Sequence, residues 1–148
     1  MIKTKSIYKP KEFGDGMRIL ITRFYPRGVK KTHFDRWTRE LAPSAELLGK
    51  YKNQNITWEE FMMSFKLELQ ESEDSLQIIR TLNTRSNHSH ITLLCYEPEG
   101  TPCHRHLLKE IIKDPNLLST NFMPEYTDNH KGRSVEKHVA YEEACIIP

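Results

Sequence analysis

The stretch "ITLLCYEPEGTPCHRHLLKEII", Ile91 to Ile112, decides how this chain is read. Ile91–Cys95 is a short apolar run that opens on β-branched residues, the composition of a buried strand. A Pro/Gly loop follows. Thr101 is a good N-cap and Pro102 suits the first helical position, so an amphipathic helix is expected over Cys103–Lys113. Asp114–Pro115 ends it. Strand, loop and helix in that order form the repeating unit of a layered α/β protein with a largely parallel sheet. In such sheets ligands sit outside the carboxyl ends of the strands, which is where this loop falls.

Flanking segments fit the same class. "TKSIYK" (4–9) reads as a first strand, "FGDG" (13–16) as a turn, and "MRILITRFY" (17–25) as a mostly buried strand that Pro26 ends. "PRG" (26–28) with Lys30 and Lys31 makes an exposed basic loop. Phe34, Trp37 and Leu41 recur at helical spacing in "HFDRWTREL" (33–41), which predicts a short helix stopped by Pro43. Ser44 caps a second short helix, "AELLGKY". Thr57 and Glu60 form a capping box for a third, whose Trp58, Phe61, Met62, Phe65 and Leu69 line a core face. Leu76, Ile79 and Leu82 mark a fourth helix before the polar loop "NTRSNHSH". A last helix is expected over 134–147.

At 148 residues, 37% hydrophobic and 28% charged, the chain has the composition of one globular domain. The expected organisation is an α/β domain over 1–115. A C-terminal extension, 116–148, docks on the body, forms a homodimer, or is partly disordered. No run approaches the ~18 apolar residues of a membrane span, so no membrane association is expected. The start of the chain has no apolar signal region. The three cysteines therefore read as thiols in a reducing, cytoplasmic compartment. Net charge is +2 but unevenly spread: nine of the 22 Lys/Arg fall in residues 1–31 against Glu12 and Asp15. Residues 57–76 hold six acidic side chains against Lys66. One end of the chain attracts anions and the middle repels them.

The junction carries the chemistry. With the helix starting at Thr101–Pro102, Cys103 and His104 fall in its first turn, whose free N–H groups lower a thiol pKa. Cys103 is the expected reactive thiol, with a histidine or Glu97 handling protons. Cys95, at the strand end, faces the same crevice or fills the core. Arg105, His104 and His106 stand where cations oppose the helix dipole, an arrangement that a bound anion reverses. Arg105 is the expected anion fork. A second reading is a metal held by Cys95, Cys103 and His104 or His106, with His88 or His90 as a fourth ligand. The C-x7-C-H spacing matches no C-x2-C zinc pattern, so the sequence calls for no metal and no cofactor. A third reading is packing alone, with a buried Cys95, a packed Cys103 and surface histidines.

Several segments together resemble the domain of unknown function family 488. They are "DGMRILITRFYPRG" (15–28), Trp37 with "LAPSAEL" (41–47), "WEEF" (58–61) and "LLCYEPEGTPCHRHLL" (93–108). Tyr25 stands where the family usually has tryptophan. The resemblance implies a compact α/β domain of prokaryotic, cytoplasmic type with no established reaction. It implicates Arg18, Arg23, Arg27, Cys95, Glu97, Cys103, His104 and Arg105. If the two strands involved are parallel neighbours, Arg23, Arg27 and Arg105 would converge on one pocket suited to a phosphate-like ligand. Pairing of Arg23 and Arg27 with acidic residues such as Glu97 or Asp15 in an ion network is the structural alternative.

Two function classes follow. In one, a thiol-containing, anion-binding pocket from Cys95 to Arg105 acts on a small phosphorylated or carboxylated molecule. In the other, the basic first 31 residues bind nucleic acid or nucleotides, with Tyr8, Phe24 and Tyr25 as stacking surfaces. The pI of 8.4 lies below the range above about 9 typical of dedicated nucleic-acid domains, which favours the pocket.

Overall fold

The computed structural model describes residues 1–124. Four strands, β1 (Ile2–Ser6), β2 (Met17–Leu20), β3 (Arg36–Trp37) and β4 (Ile91–Cys95), form a parallel sheet in the order β1-β4-β2-β3. Four α-helices accompany it: α1 (Ala45–Lys52), α2 (Trp58–Glu71), α3 (Glu73–Ser86) and α4 (His104–Lys113). The expected class, a single α/β domain with a small parallel sheet, is what the chain adopts.

β4 sits between β1 and β2, and all five of its residues are buried, as a central parallel strand requires. Its register pairs Cys95 with Ser6 and Leu94 with Leu20. The end of β4 therefore lies at the carboxyl edge of the sheet. α4 packs on β1 and β4, α3 lies against α4, α2 against α3, and α1 against α2. Phe61, Met62, Phe65 and Leu69 of α2 are buried, as their spacing predicts. Thr57 and Glu60 close the expected capping box, and Ser44 caps α1 by accepting from the Leu47 N–H.

β1 returns to β2 through residues 7–16 with a 3-10 turn at Phe13–Asp15 and no α-helix. Gly16 ends that return at φ 63°, ψ −138°, backbone open in practice only to glycine. A Cβ there would stand 2.1 Å from the His90 carbonyl oxygen. That oxygen accepts from the Met17 N–H at 3.0 Å, so the close approach sets the entry of β2 beside β4.

Five local expectations change. The 33–41 segment is not a helix: it holds 3-10 turns at Lys31–His33 and Arg39–Leu41 around β3. Its backbone is taken by β2, with Asp35 N–H on Arg18 O and Thr38 N–H on Leu20 O, both at 2.8 Å. The Trp37 indole donates to the Thr22 carbonyl at 2.8 Å. Three apolar residues at helical spacing do not outweigh that pairing. The first strand spans Ile2–Ser6 rather than 4–9, and the second stops at Leu20 rather than running to Tyr25. α3 continues through 83–86, where a loop is expected. α4 begins at His104, so Cys103 itself is the N-cap and neither Thr101 nor Pro102 is helical.

Beyond α4 the chain keeps packing. Leu118 is buried, Phe122 and Met123 rest on the core, and the Lys66 ammonium donates to the carbonyls of Thr120 and Phe122. The helix expected over 134–147, and Cys145 within it, lie outside the described residues. Among the described residues no helix is long and apolar enough to cross a membrane.

Candidate functional site

β4 delivers Cys95 to the carboxyl edge of the sheet, where the Ile7 N–H donates to its carbonyl at 2.8 Å. Tyr96 and Glu97 stay buried, Pro98–Gly100 emerge in an exposed turn with Gly100 at φ 79°, and the chain dives again at Cys103. Arg105 ties this loop down. Its Nη1 donates to the Glu97 carbonyl at 2.7 Å and its Nη2 to the Pro98 carbonyl at 3.1 Å. The guanidinium is fully buried, so its charge acts in a medium that screens it weakly.

Beneath the loop, Cys95, Cys103 and His104 meet. Their sulfur and ring-nitrogen atoms all lie within 4.8 Å of one another, and all three residues are buried. His104 Nε2 stands 2.8 Å from the Ile21 carbonyl oxygen. A carbonyl only accepts, so Nε2 carries the proton and Nδ1 keeps a bare lone pair. That lone pair faces Cys103 Sγ at 3.7 Å. The ring packs edge-on against Phe65, centroids 5.4 Å apart. Burial, with help from the Arg105, His106 and Arg23 charges, lowers the imidazole pKa to about 4, although the Ile21 carbonyl opposes the shift. His104 is therefore neutral at physiological pH.

The thiol expectation is corrected. Burial pushes the Cys103 thiol well above its ordinary value, and the neighbouring Cys95 adds to the rise against the pull of Arg105. Cys103 is the N-cap of α4, and the bond from the first-turn Arg105 N–H lowers its pKa without overcoming that rise. Desolvation outweighs the dipole.

Glu97 is the unsettled member. Both carboxylate oxygens are buried with no hydrogen-bond partner among the described residues, and so is Arg105 Nε. Burial raises the Glu97 pKa to about 7, with the Arg105 charge opposing. The Glu97 charge also helps raise the Tyr51 pKa, after burial, which places the α1 phenol near this carboxylate. Nothing in the spacing of the sequence signals Tyr51 or Phe65 as neighbours, because both reach the junction from helices far away in the chain.

The other arginines are drawn elsewhere. Arg23 donates from Nε to the Pro43 carbonyl and from Nη2 to the Ala42 carbonyl, both at 2.9 Å. It thereby holds the Ala-Pro-Ser turn while its charge still reaches His104. Arg18 lies at the opposite end of the sheet, in register with Thr92. It is wholly buried in an ion pair with Asp15, and its Nε donates to the His33 carbonyl at 2.7 Å. Arg27 is exposed in the basic loop, where the Tyr8 hydroxyl donates to its carbonyl. The structure thus gathers Cys95, Glu97, Cys103, His104 and Arg105, leaves Arg23 at their margin, and separates Arg18 and Arg27 from them.

These features define a small parallel α/β protein with a closed thiol–imidazole cluster at a strand's carboxyl end. A family model described as the active DUF488-N3 subclade matches residues 2–116, so the chain belongs to the DUF488 family. Among its relatives, the Escherichia coli K12 uncharacterized protein YeaO is 38% identical over 74 residues, 49% of this chain and 64% of YeaO. The chain therefore spans a little under two thirds of that relative. The Mycobacterium tuberculosis uncharacterized protein Rv3073c is 31% identical over 87 residues, 57% of this chain and 73% of that protein. No solved structure matches at a significant level.

Proposed function

We propose that the β4–α4 junction is the reaction centre of an enzyme acting on a small carboxylated or phosphorylated molecule. One observation carries this: Glu97 and Arg105 Nε are buried, polar and unpartnered beside the Cys95–Cys103–His104 cluster. Leaving such a group unmade costs about 1–3 kcal/mol, so folded proteins rarely do so without a use for it. A ligand with an anionic oxygen would accept from Arg105 Nε, and a hydroxyl or ammonium on the same ligand would donate to Glu97. The substrate class is therefore an acid that also bears a hydrogen-bond donor. Glu97 handles the proton, and the adjoining Cys95–Cys103–His104 cluster completes the centre. The word active in the description of the subclade supports an enzyme over a purely structural role.

The test is the melting temperature of the full-length protein against inorganic phosphate and short hydroxy- and amino-carboxylates, compared with Arg105→Lys. A specific site gives a saturable rise, about 2.7 kcal/mol of stabilisation at a hundredfold excess over Kd, that the variant loses. A rise that is linear in concentration and equal in both proteins is a general salt effect and sinks the proposal.

Nucleic-acid binding through the basic region is a second reading. It is favoured by an open groove of about 720 Å³ along β1, lined by Lys3, Lys5, Lys109 and Lys113. Its support is weaker. Lys5 is bound by Glu12 and Asp15, and Tyr25 is turned inward against Phe34 and Trp37. Binding whose logarithm falls steeply with the logarithm of salt concentration would favour this reading.

A further inference from the structure

We propose that Cys95, Cys103 and His104 form a divalent transition-metal site of the zinc class, with the fourth position open among the described residues. This rests on the reading of the junction as the reaction centre and names the cofactor of that centre. Zinc takes sulfur at about 2.3 Å and imidazole nitrogen at about 2.0–2.1 Å in tetrahedral geometry, so ligand atoms of one site stand about 3.5–3.8 Å apart. Cys103 Sγ and His104 Nδ1 are already 3.7 Å apart, and no pair in the trio exceeds 4.8 Å. Small side-chain rotations close the remaining gap.

The second observation is the orientation of the imidazole. A metal-ligating histidine almost always gives its other ring N–H to a carbonyl or carboxylate, which fixes the tautomer and aims the bare nitrogen at the metal. His104 does this: Nε2 donates to the Ile21 carbonyl at 2.8 Å, and Nδ1 points to the sulfurs. The Phe65 ring edge holds the imidazole plane from the side. A bare ring nitrogen turned toward the Cys103 sulfur, with Cys95 beside it, is the arrangement that a ligand set needs.

Two thiolates and one imidazole are also informative as a set. Structural zinc sites use four protein ligands, whereas catalytic ones use three and leave the last for water or substrate. Glu97 is the nearest unpartnered carboxyl in the chain direction, yet its oxygens fall outside the trio. Among the described residues no fourth ligand joins the trio, and the remaining position is assigned to an exogenous oxygen. A bound anion would bridge that position and Arg105. Metal binding exchanges the two thiol protons for the ion, and the buried thiols are then held as ligands rather than as a free nucleophile.

Cys95 and Cys103 stand eight residues apart, so no local C-x2-C pattern marks them in the sequence. Here the sheet, not local spacing, brings Cys95 to Cys103.

The test uses the full-length, chemically reduced protein, stripped with a chelator and titrated with Co²⁺, then with Zn²⁺. The expected result is about one equivalent bound, with sulfur-to-cobalt charge-transfer bands and the intense visible bands of a tetrahedral site, both displaced by zinc. Cys145→Ser keeps the bands, and Cys103→Ser and His104→Asn lose them or shift them. Circular dichroism shows whether each variant is folded, and the wild-type titration stands without them. Absence of thiolate bands from folded, reduced wild-type protein overturns the proposal, as does undiminished binding by Cys103→Ser. Isolation of the protein with a Cys95–Cys103 disulfide that reduction does not convert into a cobalt-binding form also overturns it. Cobalt bands without an anion-induced rise in melting temperature sink the substrate reading alone, and the reverse pattern sinks the metal alone.

Discussion

Asp15 shows how much one side chain can organise. Its carboxylate accepts from Lys5 at 2.9 Å and from the Glu12 N–H at 3.0 Å, and it pairs with the buried Arg18. Its carbonyl accepts from the Thr92 hydroxyl at 2.6 Å, which ties the turn to β4. Burial alone would raise its pKa, but the bonds from Glu12, Lys5 and Arg18 outweigh it and hold the value below the ordinary range. A depressed carboxylate contributes stability above its unfolded value, and that contribution is lost as pH falls through the folded value. Chemical denaturation at stepped pH should therefore show wild type losing stability below about pH 4, and Asp15→Asn losing little more there. At neutral pH the variant should be weaker by about 3–5 kcal/mol, because Arg18 is left buried and unpaired. Equal stability of the two proteins at pH 7 would refute the node. Next to it, Gly16→Ala should cost more than ~2 kcal/mol in the same assay, since a methyl meets the His90 carbonyl and the backbone is strained. A loss under ~0.5 kcal/mol would show that β2 enters the sheet differently.

Elements that carry their own signals were legible from local sequence. β4 matches its expected bounds, and α1 and α2 start where Ser44 and Thr57 place them. The failures share a cause. The 33–41 segment has helical spacing but no cap, and its N–H groups found partners on β2. The start of α4 was misplaced by two residues because Thr101–Pro102 is a good local start. In the fold, Arg105 pins the Glu97 and Pro98 carbonyls, the chain turns after Pro98, and the helix starts only after Cys103. That shift matters chemically, since it makes Cys103 the N-cap with its sulfur beside Cys95 and His104.

For the whole molecule, the matched family region stops at 116, yet the described chain keeps contributing packing to 123. Lys66, on α2, is buried, which lowers its pKa, and carbonyls of the following segment receive its ammonium. Truncation after residue 116 should remove those acceptors along with Leu118. Melting should then fall by ~5 °C or more relative to a chain ending at 124. Equal melting of the two would mean that residues 117–124 add nothing to the fold. Exposed Met63 and Leu67 beside this segment form the apolar rim of a groove of about 420 Å³.

By itself the sequence determined the class of fold, the central buried strand, the capped helices and the address of the junction chemistry. Each of these depends on near neighbours: apolar period, caps, turn residues and Pro stops. Only the tertiary structure decided which of the chemical side chains meet. The packing of α4 on the sheet brings Cys103 back to Cys95, and the Ile21 carbonyl sets the His104 tautomer. Asp15 claims Arg18 for the far end of the sheet, and burial reverses the acidity expected of Cys103. The physical reason is range: desolvation and cross-strand pairing depend on what folds over a residue, and that is not written beside it in the chain.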